Sequence, residues 1–294
     1  MLVTLLNHSA LVILVLLSVA EAAAGRLDLS KADRDETTLD LASIAFPLAS
    51  RPAVFALVLG GAAALVPEWR DRFSHLSWVA WIPVYLIGED MVQYWWHRLG
   101  HTKYTWLWHR AHHSAPYMGA RMTFRNGFLY SFLMPNIWTN AFFVSLGAGP
   151  FAVAYGLVKL LVVTAAHSEL RWDQYLYRSP RLSPIAWIVE RTISTPATHF
   201  AHHALSEADG VGHYRGNFGN LLFFWDVLFG TALITRRYPP ASGVENDLEY
   251  GRERWWVQLF VPMFQSRRRQ SDYNSASYWF SRTPSRAPVE QSRA

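Results

Sequence analysis

The chain has no cysteine in its 294 residues. That excludes disulfides, thiolate-ligated haem, iron–sulfur clusters and cysteine-based zinc sites. The spacing H-E-x-x-H is also missing, which removes the usual helix-borne zinc hydrolase. No haem-attachment or flavin motif stands in for them, so electrons for any redox chemistry come from a separate protein. Charge is sparse, at 17% of residues against 51% hydrophobic, with a mean hydropathy of +0.05. Such a chain is too apolar for an ordinary soluble domain and too polar to lie wholly in a bilayer. The net charge of +5 is carried by arginines scattered among apolar runs, which fits an anionic membrane face better than nucleic acid.

The first charged side chain is Glu21, and no basic segment precedes the apolar run Leu2 to Ala24. A secretory signal needs that basic segment, so the run reads as a transmembrane helix in preference to a cleaved signal. Four further apolar runs follow, Leu41 to Val66, Leu76 to Trp96, Phe128 to Leu146 and Phe151 to Ala166. Polar turns at Pro67–Arg72 and Gly147–Pro150 reverse the chain between them. The expected architecture is an all-α integral membrane protein with about five transmembrane helices and a histidine-rich helical cap. Of the 27 Lys and Arg residues, 20 lie in segments 98–127 and 167–294, which places the histidine side in the cytoplasm by the positive-inside tendency. Leu221 to Gly230 reads as an apolar hairpin or half-embedded helix, and Trp255 to Phe264 as an interfacial anchor.

Histidine is the residue in excess. His97, His101, His109, His112 and His113 fall within seventeen residues directly after the third run, His167 ends the fifth, and His199, His202 and His203 follow. Two copies of H-x-x-H-H are the one internal repeat. Residues i, i+3 and i+4 share a helix face, so each box aims its imidazoles at one point. One straight helix cannot hold all of the first five, because they would spread over about 24 Å. The chain therefore bends between Gly100 and Thr105. Counting crossings brings all nine to one side of the membrane, while His8 and His75 fall on the other. Nine imidazoles exceed the needs of one ion and fit two metals, with His213 a further candidate ligand; ligand type alone admits zinc, iron or copper.

The order of these residues resembles the fatty acid hydroxylase/sterol desaturase superfamily. The resemblance rests on Asp90, Tyr94, Trp95, His97, Arg98 and His101, the boxes His109 to His113 and His199 to His203, the lone His167, Asn217-Phe-Gly219, and Trp225-Asp226…Phe229-Gly-Thr231. It covers about residues 80 to 235. It implies a membrane enzyme with two non-haem Fe ions, O2 as co-substrate and a separate ferredoxin, cytochrome or reductase as electron donor. That enzyme would hydroxylate or desaturate a C–H bond of a sterol-like, acyl or isoprenoid lipid drawn from the bilayer. Arg171 stands where ceramide-type relatives carry a second histidine, which places the chain nearer the sterol desaturase-like branch. Residues 1–264 then form one membrane-embedded domain, and 265–294 a disordered basic tail.

Three other polar residues are candidate catalytic or supporting groups. Asp90 lies on nearly the same face as His97 and either orients a ligand imidazole or pairs with Lys159, which sits at similar depth. Asn217 is a ligand or a turn former. Asp226 supports the site from outside the ligand sphere or caps a helix. The rival reading is a histidine-lined metal transporter, which requires polar residues deep in several spans; only Glu89, Asp90 and Lys159 qualify.

Overall fold

The computed structural model describes residues 2–264; the basic tail expected at 265–294 lies outside the described residues. Helices α1 (Leu2–Ala23) and α2 (Arg34–Leu65) open the chain, the second capped at its start by Asp33, whose side chain accepts from the Glu36 amide. Helix α3 (Trp78–Tyr85) runs through a π-helical turn (Leu86–Met91) into α4 (Val92–Gly100). The chain then bends, and α5 (Trp106–His113) carries the second histidine box. Helices α6 (Phe128–Leu133), α7 (Pro135–Ser145) and α8 (Gly149–His167) follow. The chain then adds α9 (Gln174–Tyr177), α10 (Ser183–Thr192), α11 (Pro196–His202), α12 (Phe224–Phe229), α13 (Asn246–Tyr250) and α14 (Trp255–Phe260). Among the described residues there is no strand, just one isolated bridge between Ala204 and Ser242.

Three helices are long and apolar enough to cross a membrane by length and composition, namely α1, α2 and α8. The other two expected spans are interrupted. In the third, helical backbone continues from Trp78 to Gly100, but the π turn inserts an extra residue per turn and brings the consecutive acids Glu89 and Asp90 both inward. In the fourth, Pro135 has no amide hydrogen to continue α6, so the helix restarts there. The Trp138 indole donates to the Phe132 carbonyl (2.7 Å) and satisfies an acceptor that the break exposes.

Helix α1 packs on α8, and α2 packs on α7. Between α3, α7 and α8 lies an aromatic core in which Tyr85 meets Phe143, Phe151 and Tyr155 with ring centroids 4.7–5.1 Å apart. Glu21, at the end of α1, is fully buried and accepts from the Ala120 and Glu169 amides. It ties the end of α1 to the end of α8, where the histidines gather. Of the hairpin and the helix expected at Leu221 to Gly230, the helix forms, and α12 turns Phe224, Val227 and Leu228 outward. Helix α14 differs from the expected anchor. It packs on α2 and α5 with Val257, Gln258 and Leu259 buried, and Gln258 accepts from the Ser114 hydroxyl; Met263 and Phe264 beyond it are exposed. The polar Gln258 has a partner inside the cap, so the segment sinks inward.

Candidate metal centre

Nine buried histidines converge at the ends of α4, α5, α8 and α11. His97, His101, His109, His113 and His202 form one group, and His112, His167, His199 and His203 a second. Within each group one ring nitrogen per residue lies within 4.8 Å of all the others. The two groups touch, since the His113 and His203 rings stack at 4.4 Å. Local chemistry sets the helices that carry them. Thr195 and Thr198 form a reciprocal capping box with Pro196 at the first position, which starts α11 one turn before His199. Gly127 lets its backbone close on the Trp108 carbonyl, where a Cβ would stand at 2.5 Å.

The outer nitrogens fix the protonation of the rings. His97 Nδ1 donates to the Phe218 carbonyl (2.7 Å), His202 Nδ1 to Gly216 (2.7 Å), His112 Nδ1 to Arg125 (2.8 Å) and His167 Nδ1 to Val163 (2.8 Å). A carbonyl can only accept, so in each neutral ring the proton sits on Nδ1 and Nε2 is a bare lone pair. These lone pairs face each other. His97 and His202 Nε2 are 3.0 Å apart in the first group, and His112 and His167 Nε2 are 3.4 Å apart in the second. Neither pair can form a hydrogen bond. Two nitrogens each about 2.0–2.1 Å from a shared ion stand about 3 Å apart, which is the spacing seen. Among the described residues both nitrogens of His101 and Nε2 of His203 are buried with no hydrogen-bond partner, one residue in each group. The set suits one cation per group.

Burial, together with neighbouring imidazoles, holds the rings of His101, His109, His112, His113, His199, His202 and His203 well below the ordinary histidine value of 6.5. They are neutral at physiological pH and open to a metal.

The structure places Asp90, Asn217, Asp226 and His213 outside both groups. Asp90 accepts from the Trp225 indole (2.9 Å) and the Leu222 amide (3.1 Å), and its other oxygen lies 3.1 Å from Lys159 Nζ. Of the two roles left open for it, the geometry shows the pairing with Lys159; His97 takes its outer hydrogen bond from Phe218 instead. Asn217 adopts φ +56°, a left-handed conformation asparagine tolerates, and bonds through its side chain to Thr198 and Leu233. The turn it forms offers alternate carbonyls, Gly216 to His202 and Phe218 to His97. Asp226 accepts from the Phe218 and Gly219 amides and from the Thr231 hydroxyl, holding that turn in place. Burial pushes its carboxyl up to about 6 against those three donors. His213 is partly exposed, and its Nε2 faces the Thr231 carbonyl at 3.2 Å.

Sequence reasoning missed Asn126, whose Oδ1 lies 2.8 Å from His109 Nδ1, and Tyr130, whose ring stacks on His109 at 4.4 Å. The signal was Arg125-Asn126-Gly127, a polar triplet wedged before an apolar helix. A cavity of about 190 Å³ opens beneath the histidines, reached by His97, His109, His112 and His167 and walled by α1, α2, α4, α6, α7 and α8.

Comparison with known proteins agrees with this centre. The chain is 26% identical over 156 residues to the alkylglycerol monooxygenase of Xenopus tropicalis, covering 52% of this chain and 30% of that protein. It is 28% identical over 177 residues to the alkylglycerol monooxygenase of Danio rerio, covering 58% and 35%. The chain thus spans about a third of the length of these relatives. No solved structure gives a significant match. The Fatty acid hydroxylase family model matches residues 82–231, just over half of the chain and every one of the nine histidines, and the chain belongs to that family.

Proposed function

We propose that the protein is a membrane-bound non-haem di-iron oxidoreductase that uses O2 and two electrons to hydroxylate or desaturate a C–H bond of a lipid. The observation that carries this reading is the pair of facing lone pairs, one in each histidine group, at the inner end of a cavity enclosed by apolar helices. Family membership supports a lipid-modifying oxygenase, and the matched relatives are named as monooxygenases. Iron, when bound, supplies the one-electron steps that activate O2 against an unactivated C–H bond.

The chain's own contribution is positional. Carbonyls of Gly216, Phe218, Arg125 and Val163 lock four rings in the Nδ1-protonated form, so their lone pairs stay aimed inward without reorganisation. Neutral imidazole ligands leave the bound ions more electron-poor than carboxylates would. Cavity walls such as Leu160, Val163, Ile137 and Met134 keep water from the chain of a bound lipid. Electrons arrive from a separate redox protein, and the cluster faces the cytoplasm beneath five crossings, with the π-interrupted and proline-broken helices completing the bundle. A transport route would string ligands along the spans, whereas here they close a cage at one end.

Protein purified into nanodiscs should hold about two metal ions per chain, iron preferred, and oxidise lipid in an O2-dependent reaction. One tightly held ion that His202→Ala leaves untouched would refute the di-metal reading. Labelling of a cysteine introduced at Ser266 from outside intact cells would refute the sidedness.

A further inference from the structure

The cavity beneath the histidines is not uniformly apolar. Eight residues before His167, about 12 Å down α8, Lys159 meets Glu89 of the π turn at 2.7–2.8 Å, and the Tyr155 hydroxyl donates to Glu89. These groups satisfy one another. Two amides on the same wall do not. Gln93, about 6 Å or one turn below His97, is 3% exposed, and its Oε1 has no hydrogen-bond partner among the described residues. Asn136, in the first turn of α7, likewise has a buried Oδ1 without a partner. Both line the cavity. A buried acceptor left unmet is costly, and an alkyl chain alone cannot meet it.

Charge narrows the partner. The charged side chains lining the cavity are Arg51, Glu89 and Lys159, and Asp90 stands behind Lys159. Two acids balance two bases, so the cavity has no net preference for an ionised group. Free amide oxygens ask for a donor. We propose that the cavity recognises a neutral hydroxyl carried by the lipid about 6 Å, one helical turn, from the carbon presented to the histidines, with Gln93 and Asn136 as the specificity-determining residues. This rests on the cavity being the substrate site of the proposed oxygenase. It makes the substrate a hydroxylated lipid and disfavours a plain hydrocarbon chain or a free fatty acid. In bound form the hydroxyl donates its single proton to one of the two amide oxygens, and its own oxygen can accept from an amide N–H.

The test is equilibrium binding of tritiated hexadecan-1-ol to the full chain in phosphatidylcholine nanodiscs, competed by unlabelled hexadecan-1-ol, hexadecane or hexadecanoic acid. Oxygen and reductant are left out, so nothing turns over. Wild type should prefer the alcohol over hexadecane by about tenfold, the scale of one or two net hydrogen bonds. In Gln93→Leu/Asn136→Leu that preference should shrink to about twofold or less while hexadecane competes as well as before. Equal competition by alcohol and hexadecane in wild type overturns the proposal, as does tighter binding of the acid, or an undiminished preference in the double variant. Should the double variant fail to fold, the wild-type series and Gln93→Met decide alone. Metal content is read on the same samples. An alcohol preference in protein that holds no metal refutes the oxygenase reading and spares the anchor; two bound metals with no preference do the reverse.

Discussion

Two buried polar clusters meet at Arg125, and they differ in whether their members satisfy each other. On one side the Arg125 side chain donates to Glu36, the Ser114 hydroxyl and the Ala111 carbonyl, with Asp40 at 3.4 Å and Tyr117 donating to Asp40. Burial opposes the charge on Arg125, but Glu36 and Asp40 more than offset it and keep the guanidinium ionised. On the other side the Arg125 carbonyl holds His112 in a cage where every fixed outer N–H is met and inner lone pairs point at one another. Both clusters are fully buried, so burial does not mark the site. Lack of self-complementarity does. In the first cluster each buried charge has a counter-charge, Glu36 Oε1 lying 3.2 Å from Arg252 Nε, and the cluster serves the fold; the second sets lone pair against lone pair and suits cations.

The largest expected effect comes from breaking the first cluster. Arg125→Met takes away the cation shared by Glu36 and Asp40 and leaves Arg252 3.2 Å from Glu36 and Arg121 3.7 Å from Asp40, a change that costs about 3 kcal/mol, the low end for breaking a buried pair. Against a typical stability of about 5–15 kcal/mol, little folded protein should be recovered, and thermal unfolding followed by helical circular dichroism measures it. A variant that melts like wild type would show that the network is not structural. Breaking the cage should act the other way round. His202→Ala removes one ligand from the first group, so metal falls from about two ions per chain to about one and lipid oxidation drops to background. The metal-free protein should lose far less melting temperature than Arg125→Met, because the ring removed was facing another lone pair. Unfolding as severe as that of Arg125→Met would erase the distinction between the two clusters.

Acid should separate the clusters next. The seven cap histidines have folded-state values below the ordinary 6.5, so the unfolded chain binds protons that the folded chain refuses. Their contribution to stability is complete above about pH 6.5 and is lost progressively as pH falls below it. Melting of metal-free protein between about pH 7.5 and 5 should show that decline, and metal retention should fall over the same interval because protons compete for the same lone pairs. A flat melting profile across that range would mean that the rings already carry charge in the folded chain.

The nine histidines were legible because a helix imposes spacing, and i, i+3, i+4 boxes announce a shared face in any sequence. What holds them was not, because the partners are mostly backbone. Nothing in the letters at 163, 216 or 218 says that those carbonyls will accept from an imidazole. Asn126 escaped for a related reason, since the polar triplet Arg125-Asn126-Gly127 marks a position but not the ring that it will face. His213 lies ten residues past His203, across a loop with no helical period, so its distance from the cage could not be read. The three helices long and apolar enough to cross a membrane were legible as apolar runs, yet in the other two runs the same hydropathy conceals a π turn at Leu86–Met91 and a restart at Pro135. Proline at 135 was a visible breaker; the π turn has no comparable letter. Asp90 and Lys159 were correctly placed at one depth, but Glu89 was not seen as the closer partner of Lys159.

That third partner makes the smallest predicted effect the most discriminating. If Asp90 tuned a ligand imidazole directly, its loss would cost about 10–100-fold in metal affinity or activity. The structure puts it one layer away, bridging Lys159 to the Trp225 indole and the Leu222 amide, next to the turn that carries Phe218 and Gly219. In Asp90→Asn the amide oxygen still accepts from Trp225, and Lys159 keeps both Glu89 oxygens, so no buried charge is left alone. Two acids against one lysine become one against one. Stability should therefore change by about 1 kcal/mol or less, and lipid oxidation by less than about tenfold, both far below the cost of breaking a buried pair outright. Glu89→Gln, which weakens the two shorter contacts to Lys159, should destabilise more, and adding Lys159→Met should deepen the loss, because Asp90 is then buried without its lysine. A hundredfold fall in activity for Asp90→Asn with metal content and melting unchanged would return Asp90 to the reacting centre and make the ion cluster part of the chemistry.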